Sequence, residues 1–337
     1  LVGALQYSGN FNINPEYLIK MRDSMKHRGP DGYGHWISDN QKIGLAHRRL
    51  SILDLSLNAS QPMSNVDKTI QLVFNGEIYN HNEIRNELTN EHNVKWKTNH
   101  SDTEVIIKSY EVWGIDCLKR FRGMFAIALW DTRKRKLWLV RDRIGIKPLY
   151  WAQHHGRIIF ASEIKALLCD PDLQRKCNTK AMADYFAFIC TPSPHTMFQG
   201  IQKIEPGSWI CVDDRGHIKE HRWYDVLDHA DYSKIAKGDE LYEQVFDSLE
   251  DSINIHKESD VPVGIFLSGG VDSSANAKLF SSRSKDPLKT FTIGYDAEYD
   301  TYTNELAYAR QMAEEIGASH HEKLLSEKNF LEFIPEM

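Results

Sequence analysis

The sequence predicts two domains of different class: an α+β domain of antiparallel sheets layered with helices, then an α/β domain with a parallel sheet. Three observations carry this. The first half holds short extended segments bounded by Gly, Asn, Asp or Pro, a long amphipathic helix opens the second half, and a strand–glycine turn–helix–strand unit follows it. A chain of 337 residues is also long for one core.

Extended segments are predicted at Ile43 to Leu53, Ile70 to Phe74, Met124 to Trp130 and Lys136 to Val140. Apolar residues recur at three and four over Pro15 to Lys26, Asn82 to Asn90 and Thr103 to Trp113, which predicts helices between the strands. From Asp239 to Ile255, Leu241, Val245, Leu249 and Ile253 recur every fourth residue. The apolar run Val261 to Leu267, a glycine turn, a helix to Ser284 and a second apolar run from Leu288 to Tyr295 form a unit that builds parallel sheets. The polar stretch around His221 to Lys237 marks the boundary, giving domains at 1–225 and 226–337.

Composition narrows the function. A net charge of −6 supplies no basic field for nucleic acid or an acidic membrane. No apolar run approaches the ~20 residues that span a bilayer, and the start shows no signal-peptide pattern. Cys117, Cys169, Cys177, Cys190 and Cys211 form no C-x-x-C pair and no metal-ligand spacing. They read as reduced thiols of a cytoplasmic protein. The pairs His154-His155 and His320-His321 read as strand or loop residues rather than metal ligands.

Ser268-Gly269-Gly270-Val271-Asp272-Ser273-Ser274 sits where a buried strand hands over to a helix. Adjacent glycines let the backbone approach a ligand closely, and the helix start offers N–H groups to an anion. Ser268, Ser273 and Ser274 add hydroxyls, and Asp272 suits a divalent cation between phosphates. No lysine follows the glycines, so this is not the G-x-x-x-x-G-K-[ST] loop.

In the first half, Arg49, within Ala46-His47-Arg48-Arg49-Leu50-Ser51-Ile52, has the planar fork that grips a carboxylate. The bland alternative is a surface ion pair. Asn75-Gly76-Glu77 offers an amide beside a glycine N–H, an oxyanion hole, with Glu77 as an ammonium acceptor. An ordinary Asn-Gly hairpin turn competes with it. Asp102 suits an ammonium or a helix cap.

Together with His27-Arg28-Gly29-Pro30-Asp31-Gly32 and the run Arg141 to Tyr150, these motifs resemble the class II glutamine amidotransferase domain, an N-terminal-nucleophile hydrolase fold. The serine–glycine loop resembles that of ATP pyrophosphatases. In this order the two are similar to glutamine-dependent asparagine synthetase, from Leu1 to about Phe333. The resemblance implies glutamine held by Arg49, Leu50, Ser51, Ile52, Leu53, Asn75, Gly76, Glu77 and Asp102, with Asn75 and Gly76 as the oxyanion hole. It implies ATP held by Leu267, Ser268, Gly269, Gly270, Asp272, Ser273 and Ile293, Mg²⁺ on Asp272, and aspartate as acceptor through a β-aspartyl-AMP intermediate. A homodimer stays open as the assembly.

The family begins Cys-Gly-Ile-x-Gly, and Leu1-Val2-Gly3 matches its last three positions. The resemblance therefore implies truncation by two residues, with the nucleophilic cysteine, whose own α-amine (pKa ~7.7–8.0) is the base, ahead of Leu1. The synthetase domain of the family continues past Met337, so only its N-terminal portion is expected here. Two alternatives stay open: a related amidotransferase with another carboxylate or sugar acceptor, and a non-catalytic glutamine- or nucleotide-binding paralogue.

Overall fold

The computed structural model describes residues 1–231, 236–282, 286–296 and 305–336. The chain divides into two compact units, Leu1–Asp231 and Tyr232–Met337. In the first, the order is β1 (Val2–Gln6), α1 (Pro15–Asp23), β2 (Gly32–Ile37), β3 (Ile43–Arg49), β4 (Met63–Ser64), β5 (Ile70–Ile78), α2 (His81–His92) and α3 (Asp102–Trp113). There follow β6 (Gly123–Asp131), β7 (Lys136–Arg141), β8 (Tyr150–His154), β9 (Arg157–Ala161), α4 (Ile164–Leu167), α5 (Thr179–Phe188), β10 (Ile201–Lys203), β11 (Ser208–Asp213) and β12 (Ile218–Arg222).

These strands form two six-stranded sheets, β10-β8-β9-β1-β3-β2 and β12-β11-β7-β6-β5-β4. Alternation sorts their side chains into layers. Leu5, Leu45, Val73, Ala128, Leu139 and Phe160 meet between the sheets. Val2, Ala4 and Ala46 turn the other way, onto Leu18 and Met21 of α1. Leu72, Phe74 and Ile127 turn onto Ile84 of α2 and Val105 and Ile106 of α3. The result is a four-layer α–β–β–α sandwich.

Local chemistry sets the element ends. Asn14 accepts the Tyr17 N–H at 2.9 Å and Pro15 opens α1, the two residue types that start a helix cheaply. That helix stops at Asp23 and a short 3₁₀ turn takes over at Lys26–Arg28, so the predicted end at Lys26 is late. The strand predicted over Ile43 to Leu53 ends at Arg49. There the Arg49 guanidinium donates to the carbonyls of Leu53 at 3.2 Å and Ser56 at 3.1 Å, which curls the following segment around it.

β5 and β6 pair over nine residues, from Ile70 opposite Asp131 to Ile78 opposite Gly123. Asn75-Gly76 therefore lies inside a strand and not at a hairpin turn. Gly76 sits at φ +153°, and a Cβ there would lie 2.0 Å from the Met124 carbonyl oxygen, so only glycine fits. Beside this pairing, Asp142 is 1% exposed. Its carboxylate accepts the N–H groups of Phe125 (3.2 Å), Ile144 (3.3 Å), Ile146 (2.9 Å) and Lys147 (2.9 Å).

The second unit contains α6 (Asp239–Ile255), β13 (Gly264–Phe266), α7 (Val271–Ser281), β14 (Lys289–Tyr295), α8 (Leu306–Glu315), β15 (Ser319–Leu325) and α9 (Glu327–Phe333). The three strands are parallel, in the order β13-β14-β15. Leu267, Ala277, Leu288, Ala309 and Ala313 form its core. Only Gly264–Phe266 of the apolar run pairs as a strand, and the expected helix end at Ser284 lies outside the described residues. Among the described residues no helix is long and apolar enough to cross a membrane.

Replacing Asp142 with Ala should lower the unfolding free energy by about 3 kcal/mol, since a buried amide and three part-buried ones lose a charged acceptor together. The urea midpoint at unchanged slope measures it. A loss below about 1 kcal/mol would mean that those amides find other acceptors.

Candidate active site

The C-terminal ends of β3 and β5 open into a cleft of about 170 Å³. Arg28, His47, Arg49, Asn75, Gly76, Glu77, Asp102 and Lys147 are among its lining residues, so motifs spread over 120 positions of sequence converge on one small space. Close backbone contacts explain the convergence. A Cβ on Gly29 would lie 2.4 Å from the Arg48 carbonyl carbon, which lets the 27–32 segment press on the end of β3. Asp31 then binds the Ser51 N–H at 2.8 Å and donates its own N–H to the Arg49 carbonyl.

Arg49 has no carboxylate partner among the described residues. It holds backbone carbonyls instead, and neighbouring Arg48 pairs with Asp23 at 3.2 Å. The surface ion pair is therefore not what the structure holds at Arg49. Leu50, Ile52 and Leu53 line the cleft. Ser51 is not among the lining residues.

Asn75 Nδ2 is buried and has no hydrogen-bond partner among the described residues. A buried amide donor left unpaired costs about 1–3 kcal/mol. Such a group in a cleft is an acceptor's place. Opposite it, Asp102 opens α3, and its carboxylate accepts the Ile78 N–H at 3.2 Å. Burial, and then the neighbouring Glu77 charge, push this carboxyl up to about 7, although its hydrogen bonds pull downward. Burial also holds His47 well below the ordinary imidazole value and lowers Lys147, which the Glu77 charge partly restores. The cleft thus brings opposed charge together: guanidiniums at Arg28, Arg48 and Arg49 and the Lys147 ammonium, with carboxylates at Glu77 and Asp102.

Gln61 was not visible in the sequence as a site residue, and no local pattern announces it. Its Oε1 accepts the Phe74 N–H at 2.7 Å and its Nε2 donates to Thr103 Oγ1 at 3.4 Å, tying the loop after β3 to β5 and α3. Arg28, His47 and Lys147 lay inside motifs already noted, but their part in lining the cleft depends on the tertiary fold.

In the second unit, Leu267, Ser268 and Ile293 line a hollow of about 190 Å³ at the C-terminal ends of β13 and β14. Ser268 Oγ lies 2.9 Å from Ser273 Oγ and accepts the Gly270 N–H at 3.3 Å, which closes the turn on itself. Gly269, at φ +80°, packs where a Cβ would lie 2.5 Å from the Tyr308 Cβ. Gly270 caps α7. Gly269, Gly270, Asp272 and Ser273 stand on the adjoining turn and not in the hollow, and Asp272 is exposed.

The family model described as glutamine amidotransferase domain matches residues 2–224, and that described as asparagine synthase matches residues 244–337. Glutamine-hydrolyzing asparagine synthetase 2 of Bacillus subtilis is 40% identical over 319 residues, covering 91% of this chain and 41% of its own. Glutamine-hydrolyzing asparagine synthetase 1 of the same organism is 34% identical, covering 98% of this chain and 52% of its own. Amidase chry2 of Gibberella zeae is 32% identical, covering 91% and 46%. The chain spans about half the length of the curated relatives it matches. A solved structure titled as the allosteric regulatory enzyme of purine biosynthesis shares the fold at a TM-score of 0.50 and 15% identity, covering 96% of this chain and 80% of that one. With both units matched in order, the chain belongs to the glutamine amidotransferase family, in the branch whose second domain is that of asparagine synthases.

Proposed function

We propose that the first unit binds glutamine in the cleft and hydrolyses its side-chain amide, and that the second unit forms part of an ATP-dependent site where the released ammonia makes an amide. The observation that carries this is the unpartnered buried Asn75 Nδ2 beside Gly76, in a cleft with three guanidiniums and two carboxylates. Glutamine's α-carboxylate suits Arg49, its α-ammonium suits Asp102 and Glu77, and its amide oxygen suits Asn75 Nδ2 and the Gly76 N–H. Leu50 to Leu53 would close over the aliphatic stem.

The nucleophile in this reading is a cysteine preceding Leu1. β1 runs antiparallel to β3 with Val2 opposite Ala46. Positions one and two before Leu1 would therefore lie at the level of Arg48 and Arg49, at the mouth of the cleft. There the thiolate adds to the amide carbon, the oxyanion forms against Asn75 and Gly76, and the α-amine carries the thiol proton to the departing ammonia. Water then releases glutamate and restores the thiol.

For the second unit, the hollow at Leu267 and Ile293 suits a nucleobase and the Ser268–Ser273 turn suits phosphate. Among the described residues no group of three His, Cys, Asp or Glu could hold a metal. Asp272 alone fits a Mg²⁺ carried in by the nucleotide's own phosphates, as such ions commonly bind. When bound it would neutralise the pyrophosphate leaving group. Asparagine formation is the reading that the B. subtilis relatives' names favour, and aspartate activated as an aspartyl-AMP would supply its acceptor.

Adding Cys-Gly ahead of Leu1, with the cysteine amine free, should give a chain that releases glutamate from glutamine. Arg49→Ala or Asp102→Asn should then raise KM for glutamine at least tenfold, and equal loss of folding in both would speak for a structural role instead.

The pH dependence tests the same pairing. Asp102 must be ionised to bind an ammonium, and its carboxyl titrates near 7 when the cleft is empty. KM should therefore rise as pH falls below about 7, and Asp102→Asn should flatten that limb. Stability has the opposite sign. The folded chain binds a proton at Asp102 that the unfolded chain has lost, so this group's contribution declines from pH ~4 to ~7 and is level above. A KM that is flat between pH 6 and 8 in the unsubstituted enzyme would sink the ammonium role.

In the full-length protein, Asp272→Asn should abolish acceptor-dependent ATP–pyrophosphate exchange and spare glutamine hydrolysis. If Asp272 only favours the α7 dipole, the change costs about 0.3–1 kcal/mol of stability and exchange stays near normal.

A further inference from the structure

At the end of the sandwich opposite the cleft, the N-terminal ends of β3 and β5 part around a second hollow, about 730 Å³ against about 170 Å³ for the cleft. That volume is of the size that takes a small organic ligand. Its walls are inward-facing residues of both sheets. Leu5, Ile43 and Trp130 belong to the core between the sheets, and Tyr7 and Trp36 pack against it. Three aromatic rings thus surround one space.

The rings are held in place before any ligand arrives. Tyr7 accepts a hydrogen bond from Gln153 Nε2 at 2.8 Å, and its ring lies against Gly216, where a Cβ would come within 2.4 Å. Trp130 is buried and stands opposite Gln71 in the β5–β6 register. Gln71 is the polar group of the floor, only 4% exposed. Its Nε2 donates to the Lys68 carbonyl at 3.3 Å, which turns Oε1 away as an acceptor with no partner among the described residues. The rim carries both signs, with Arg135 paired to Asp214 at 2.7 Å and Lys42, Lys68 and Asp39 nearby.

Aromatic walls and the Gln71 acceptor define the ligand's chemistry. We propose that this hollow is a second small-molecule site, taking a flat heteroaromatic ring that packs on Trp36 and Trp130 and donates a ring N–H to Gln71 Oε1. The site is independent of the cleft, because it uses the opposite ends of the same strands.

Indole and N-methylindole, which differ only in that N–H, are the probes. In the ¹⁵N-labelled chain, titration with indole should shift the side-chain N–H signals of Trp36 and Trp130 saturably, with the two assigned from Trp36→Phe and Trp130→Phe. N-methylindole should bind about tenfold more weakly, as expected when a buried acceptor goes unpaired. Gln71→Leu should erase that difference, and Trp36→Ala, at a half-buried position that endangers the fold less, should weaken indole by at least tenfold. Equal affinity for the two probes, no saturable shift at Trp36 and Trp130, or unchanged binding in Trp36→Ala would overturn the site.

Discussion

The cleft depends on one buried carboxylate that never faces it. Asp142 accepts the Phe125 N–H on one side and the loop amides of Ile144, Ile146 and Lys147 on the other. Phe125 is the residue paired with Gly76, and Lys147 lines the cleft. Arg141 secures the same loop from outside, donating to the carbonyls of Lys147 at 2.9 Å, Gly145 at 2.6 Å and Ile204 at 2.7 Å. Acid and base side by side in sequence thus bind the donors and the acceptors of one turn. The strand end that carries Asn75 and Gly76 is held rigid from behind, which is what positions an unpaired donor without letting it collapse onto the nearest carbonyl.

The electrostatics follow from that rigidity. Burial raises the Asp102 carboxyl most and the neighbouring Glu77 charge raises it further, so Asp102 is pushed up to about 7. A cationic ligand group would favour the charged form of both carboxyls. Arg49 is positioned differently. Its fork is satisfied by main-chain carbonyls, so its charge stays uncompensated by any carboxylate among the described residues. In the proposed function, an amino acid with its two charged ends separated by one carbon would find complementary charge for both in this one small cleft.

The layers of the first unit were legible because strand alternation and helical periodicity are local. β6, β7 and α3 begin and end within a residue or so of where their apolar patterns do. Asn75-Gly76 misleads for a physical reason. The pair favours turns in isolation, but a nine-residue pairing with β6 overrides that preference, and the missing side chain serves a close approach to Met124 instead. Asp142 gave a motif but no role, since its partners are backbone amides that any sequence supplies. Gln61 and the far hollow gave nothing, because a single amide in a loop and the space between two sheets exist only after folding.

The second unit differs because one face of its central strand is exposed. β14 buries Thr290, Thr292 and Gly294 on one face and leaves Phe291, Ile293 and Tyr295 partly or well exposed on the other. Parallel sheets are normally covered on both faces, and the matched relatives are about twice the length of this chain. The turn at Ser268 to Ser273 is nonetheless complete. Its hydroxyls and glycine amides bond to one another, Leu267 donates its N–H to the Phe291 carbonyl at 2.9 Å, and Thr292 Oγ1 donates to the Leu267 carbonyl. The turn is therefore fixed by β13, β14, the start of α7 and the close packing of Gly269 against Tyr308 of α8.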